Sequence, residues 1–182
     1  MKHIYTLIAC LNFFMFFAQV PTHGVLLSIN DFKSKQIKYV KNKQDNYCLK
    51  ANMLFAPAKV KVKINNQKFT FYKDSIFGFV ENEKYFRFYQ KEQFAILNPS
   101  EKIIIYSKKV LPRGKGSLAE THYYFSLSAD DAIEKLTIYN LKKAFSNNSN
   151  KIDLIDLYFK KESELIEFDT FNHVYKINHL LQ

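Results

Sequence analysis

Residues 59 to 72 read KVKVKINNQKFTFY, and no other stretch constrains the fold as tightly. Val60, Val62 and Ile64 alternate with Lys59, Lys61 and Lys63, the period of a strand with one dry face. Asn65-Asn66 suits a two-residue turn, because asparagine tolerates positive φ. Such a turn fixes the register of the returning strand. Val62 then faces Phe69 and Val60 faces Phe71. On the opposite side Lys63 meets Lys68, Lys61 meets Thr70 and Lys59 meets Tyr72. The hairpin thus gathers Lys59, Lys61, Lys63 and Lys68 on one face. Like charges directly opposed in a sheet cost roughly a few tenths of a kcal/mol or more. That is small enough to persist without any ligand, so the lysines also fit the solvated side of an ordinary sheet.

A meander is expected to follow. Ile76–Val80, Tyr85–Tyr89, Phe94–Leu97, Lys102–Ser107 and His122–Leu127 are predicted strands, and most of their separators are short and polar. Ile37–Val40 and Tyr47–Ala51 read as short strands ahead of the hairpin. Several strands are apolar on both faces, Ile103-Ile104-Ile105-Tyr106 among them. A sheet built from them needs cover on both sides, or curls into a barrel. After Leu127 the pattern changes. Ser128 with Asp131 reads as a helix start, and Ile133, Leu136, Leu141 and Phe145 follow at helical spacing. Residues 151–161 read as a second helix and 164–181 as a third. Strands first and helices last predict an α+β fold: an antiparallel meander, open or barrel-like, followed by two to three C-terminal helices.

The chain has 182 residues, enough for one domain with a substantial core, and its 47% hydrophobic content excludes a disordered chain. Residues 1–24 read as a secretory signal peptide and 25–182 as a single domain. Lys2 and His3 are followed by an apolar run from Ile4 to Phe17, short for a membrane span. Cleavage before Val25 leaves Thr22 and Gly24 at the small-residue positions; cleavage after Ala18 is the alternative. Leu7-Ile8-Ala9-Cys10 also matches the signal for a lipid-anchored cysteine, although the apolar run continues beyond Cys10. The expected location is the periplasm, the envelope or the exterior, with no transmembrane segment in the mature chain. Without the leader Cys48 is the sole cysteine. No intramolecular disulfide is then available, and Cys48 is expected as a buried, inert thiol.

Basic residues number 27 against 17 acidic ones, a formal charge of +10. Between Asp31 and Lys73 there are eleven lysines and two acids, whereas the remainder of the chain beyond Lys73 is neutral. Such asymmetry marks a region suited to an acidic partner. A second basic group, Lys108, Lys109, Arg113 and Lys115, surrounds the loop Arg113-Gly114-Lys115-Gly116-Ser117. Its glycine spacing does not match a phosphate-binding loop. No nucleophile elbow or dinucleotide fingerprint occurs. His122, His173 and His179 lack a paired-ligand spacing, so no metal and no cofactor is expected. Asp130-Asp131, Asp153/Asp156 and Glu162/Glu164/Glu167 suit helix ends and polar helix faces rather than acid–base chemistry. Nucleic acid is not expected, because export and the absence of an RNA-binding signature argue against it.

SIFGFVENEKYFRFY, KIIIYSKK, HYYFSLS, LTIYNLKKAF and FDTFNHVYKINHLL, taken in order, resemble small exported proteins of unknown function from Bacteroidota. The resemblance covers about residues 74 to 181. It implies export and an α+β build, and no activity. The lysine hairpin lies outside it. The leading expectation is a non-catalytic binding module whose lysines contact anionic lipid, an acidic glycan or an acidic protein. The alternatives are an enzyme with a site between sheet and helices, and a structural or assembly protein.

Overall fold

The computed structural model describes residues 21–52, 57–110 and 119–181. Residues 1–20, with Cys10 and most of the expected 1–24 signal peptide, and the segment carrying Arg113 and Lys115 fall outside these residues. The chain opens with β1 (His23–Leu26) and α1 (Ile29–Lys33). Ser28 caps α1: its hydroxyl accepts from Asp31 N, and the Asp31 carboxylate accepts from Leu27 N and Ser28 N, each bond near 3.0 Å. The helix seats Phe32 on Phe77, with ring centroids 4.8 Å apart.

The next strands are β2 (Tyr47–Lys50), β3 (Lys59–Ile64) and β4 (Gln67–Tyr72), a separate three-stranded sheet with β3 in the centre. The β3–β4 register is the one the sequence predicts: Val62 opposite Phe69, Val60 opposite Phe71, Lys63 opposite Lys68. Asn65 takes φ 54° at the turn. The expected strand over Ile37–Val40 is reduced to one bridge, Lys38 to Val25.

The large sheet comprises β1, then β5 (Gly78–Glu81), β6 (Lys84–Tyr89), β7 (Glu92–Ile96), β8 (Ile104–Val110), β9 (Glu120–Ser126) and β10 (Glu134–Lys135). Every pairing is antiparallel, and the order β1-β5-β6-β7-β8-β9-β10 is open at both ends. It is a meander and not a barrel. Closure is unnecessary because both faces are covered. Leu26, Val80, Phe94, Ile96, Ile104 and Tyr106 lie under α1 and the segment around Ala129 and Ile133. On the opposite face Val25, Phe79 and Phe88 pack on Val60 and Val62 of the small sheet. Farther along that face, Ile103, Ile105 and Phe125 pack on the C-terminal helices.

Those helices are α2 (Ile138–Ala144), α3 (Ser149–Tyr158), a 3-10 turn over Glu162–Ile166 and, after the two-residue strands β11 (Phe168–Asp169) and β12 (Val174–Tyr175), α4 (Lys176–Leu181). Two sequence expectations need correction. Ser128 does not start a helix. Its carbonyl accepts from Ser126 Oγ at 2.6 Å, the Asp131 carbonyl accepts from the buried Arg87, and 134–135 pair with β9. Thr137 caps the helix instead, accepting from Asn140 N at 3.0 Å. Nor is 164–181 one helix. The Asp169 carboxylate accepts from Phe171 N, Asn172 N and Asn172 Nδ2, an aspartate turn that outcompetes helical bonding.

Candidate basic surfaces

Strand alternation sorts the small sheet into two faces. Val60, Val62, Phe69 and Phe71 join the core, while Lys61, Lys63 and Lys68 are exposed and Lys59 is half-buried, its Nζ 5.2 Å from the Tyr72 ring centroid. The structure therefore brings Lys59, Lys61, Lys63 and Lys68 together. It adds Lys50, which the sequence reading missed: β2 pairs antiparallel with β3 and sets Lys50 directly opposite Lys61. The signal was present in the alternation of Tyr47-Cys48-Leu49-Lys50, but the partner strand of β2 was not legible.

The face that results carries Cys48, Lys50, Lys59, Lys61, Lys63, Lys68, Thr70 and Tyr72, and no carboxylate. None of these lysines forms an ion pair among the described residues. Two like-charged pairs, Lys63–Lys68 and Lys50–Lys61, stand in direct cross-strand register. Directly opposed residues have Cβ atoms roughly 5 Å apart, so each pair is mildly repulsive and would be relieved by an anion lying across it. Cys48 is half-buried on this face, opposite Lys63, and not a core thiol as expected. The β2 alternation that puts Tyr47 and Leu49 toward the core turns Cys48 outward.

Lys108 and Lys109 do not join this face. They sit on β8, and alternation sends them to opposite sides of the large sheet. Lys108 is ion-paired with Glu92 and lies 5.6 Å from the Phe94 ring centroid, so its charge is already matched. Lys109 is exposed and borders a groove of about 510 Å³ between the small sheet and β6–β8. His122 pairs with Glu120 at 3.3 Å, and no group of three metal-ligating side chains occurs among the described residues. At the margin of β9 and the C-terminal segment, a depression of about 290 Å³ is lined by Thr121, His122 and Glu162. Glu162 is engaged there, its carboxylate accepting from Ile138 N at 2.9 Å.

No helix among the described residues is long and apolar enough to cross a membrane. No protein-family model, curated protein or solved structure matches the chain.

Proposed function

We propose that the protein is a non-catalytic exported module that lays the outer face of β2–β3–β4 against an anionic membrane surface. The observation that carries this is the five-lysine face itself, four of its lysines exposed and, among the described residues, free of carboxylates and ion pairs. Its chemistry favours a diffuse charge. Lysines are mobile point charges on flexible stems, whereas a discrete planar carboxylate would gain more from an arginine fork. Tyr72, 53% exposed beside Lys59, adds an amphipathic ring of the kind that sits at a headgroup boundary. The apolar run ahead of the fold and the resemblance to exported proteins motivate the location.

Each lysine brought to an anionic surface contributes about 1 kcal/mol. Five give weak, reversible and salt-sensitive binding, not an anchor. The test is cosedimentation of purified protein with anionic vesicles across a salt series, beside neutral vesicles, an acidic polysaccharide and an acidic protein. Anionic vesicles are expected to bind most of the protein at low salt and release it as salt rises. The folded variant Lys59→Glu, Lys61→Glu, Lys63→Glu is expected to bind about a hundredfold more weakly or less. Preference for the polysaccharide or the protein would keep the face and replace the lipid. Equal binding by variant and wild type would reduce these lysines to the wet side of a sheet.

A further inference from the structure

β4 ends by turning a charge inward. Phe69 and Phe71 face the core, and Lys73, two residues on, follows the same side. Lys73 is 5% exposed. A buried ammonium ordinarily sits beside a carboxylate, because desolvating an unpaired charge is costly. Lys73 has none in ion-pair contact. All seventeen acidic side chains of the chain are among the described residues, and none of them is in ion-pair contact with Lys73. Its Nζ donates to Asn52 Oδ1 at 3.2 Å and lies 5.3 Å from the Phe88 ring centroid. Burial holds its pKa below the ordinary lysine value, partly opposed by the field of Glu92.

Lys73 lines the groove between the small sheet and β6–β8, a space of about 510 Å³. The groove offers donors. Asn52 Nδ2 donates to Gln93 Oε1 at 3.0 Å, which occupies that acceptor, while the Asn52 oxygen is taken by Lys73. The Gln93 side-chain N–H groups, the Ser107 hydroxyl and the Lys109 ammonium also line the groove and donate to no other group among the described residues, while Lys73 keeps N–H groups beyond the one given to Asn52. The one carboxylate at the rim, Glu92, is held by Lys108. Phe86, paired with Ala95, supplies an apolar floor.

We propose that this groove binds a small organic phosphate, with the phosphate on Lys73, Gln93 and Ser107 and the organic part along Phe86. Point donors lining one groove without an arginine fork suit a tetrahedral dianion better than a planar carboxylate. The site is separate from the outer lysine face, because Lys73 projects through the opposite side of the small sheet.

The experiment is thermal denaturation of the purified protein with phenyl phosphate, inorganic phosphate or benzoate at matched ionic strength. Phenyl phosphate at ten times its Kd is expected to raise Tm by about 3–6 °C, saturably, and inorganic phosphate by less. Lys73→Met is expected to raise the ligand-free Tm and abolish the shift. A lysine kept only for structure would lower the ligand-free Tm when replaced. Should Lys73→Met not fold, Gln93→Leu with Ser107→Ala carries the test through loss of the phenyl phosphate shift. The variant Lys59→Glu, Lys61→Glu, Lys63→Glu is expected to keep that shift, whatever it does on vesicles. No shift, an equal shift in Lys73→Met, or an equal shift from benzoate would each overturn the assignment.

Discussion

Glu83 holds a backbone conformation that most side chains avoid. Its φ is 64°, next to Asn82 at 49°, in the two-residue turn between β5 and β6. Two consecutive left-handed residues are what the twist of a tight hairpin demands, and Asn-Gly satisfies them best. Asparagine adopts this region readily; glutamate does so at a cost of roughly 1–2 kcal/mol. Glu83 is exposed, and its backbone N–H bond to the Thr22 carbonyl survives substitution. Glu83→Gly is therefore expected to stabilise the protein by about 1 kcal/mol, read as a higher urea midpoint at unchanged slope. At this scale the sequence was legible where a residue type and its conformation agree, as at Asn65. It was illegible at Lys73. Lys73-Asp74-Ser75 reads as the polar end of a hairpin, and the parity that carries Lys73 inward matters only once the large sheet covers it.

Elements were legible where periodicity and turn chemistry act together, which is why the hairpin register holds residue for residue. They were misread where a short polar side chain competes for the backbone. Ser128 and Asp169 both bend the chain into local turns that a pattern of apolar spacing does not register. The capping box at Ser28 and Asp31 was a readable helix start that the apolar run before it obscured. β1 bears on the proposed export. His23 and Gly24 pair with Glu81 and Val80, and Thr22 accepts from Glu83 N. A Cβ at Gly24 would come within 2.7 Å of the Lys38 carbonyl, so the strand passes close beneath the following segment. Cleavage before Val25 would remove half of this edge strand, whereas cleavage after Ala18 leaves it whole. The mature chain is expected to begin before Thr22, and intact mass of the secreted protein checks this. A chain beginning at Val25 would mean that the first half of β1 is dispensable.

The α+β class of the whole molecule followed from strands preceding helices, but the way its layers combine did not. Strands apolar on both faces do not reveal which face receives the small sheet and which receives α1. The structure resolves this by sharing strands between cores. On β8, Ile105 belongs to the helical core, while Ile104 and Tyr106 belong to the core under α1. Phe79 faces the small sheet, and its neighbour Val80 faces the core under α1. Loosening one core therefore disturbs strands that hold the next, and the three are expected to unfold together. Leu141, fully buried in the helical core, and Val62, 1% exposed beneath the lysine face, lie in different cores. Leu141→Ala is expected to cost about 2–5 kcal/mol and Val62→Ala about 2 kcal/mol. In scanning calorimetry each should lower one shared transition, with calorimetric and van't Hoff enthalpies in agreement. A separate early transition in Val62→Ala would mean that the small sheet melts alone. The lysine face would then be a hinged flap that orders on its partner, and binding would lose the entropy of that ordering. A single transition instead makes the face a rigid platform, preformed before any anion arrives.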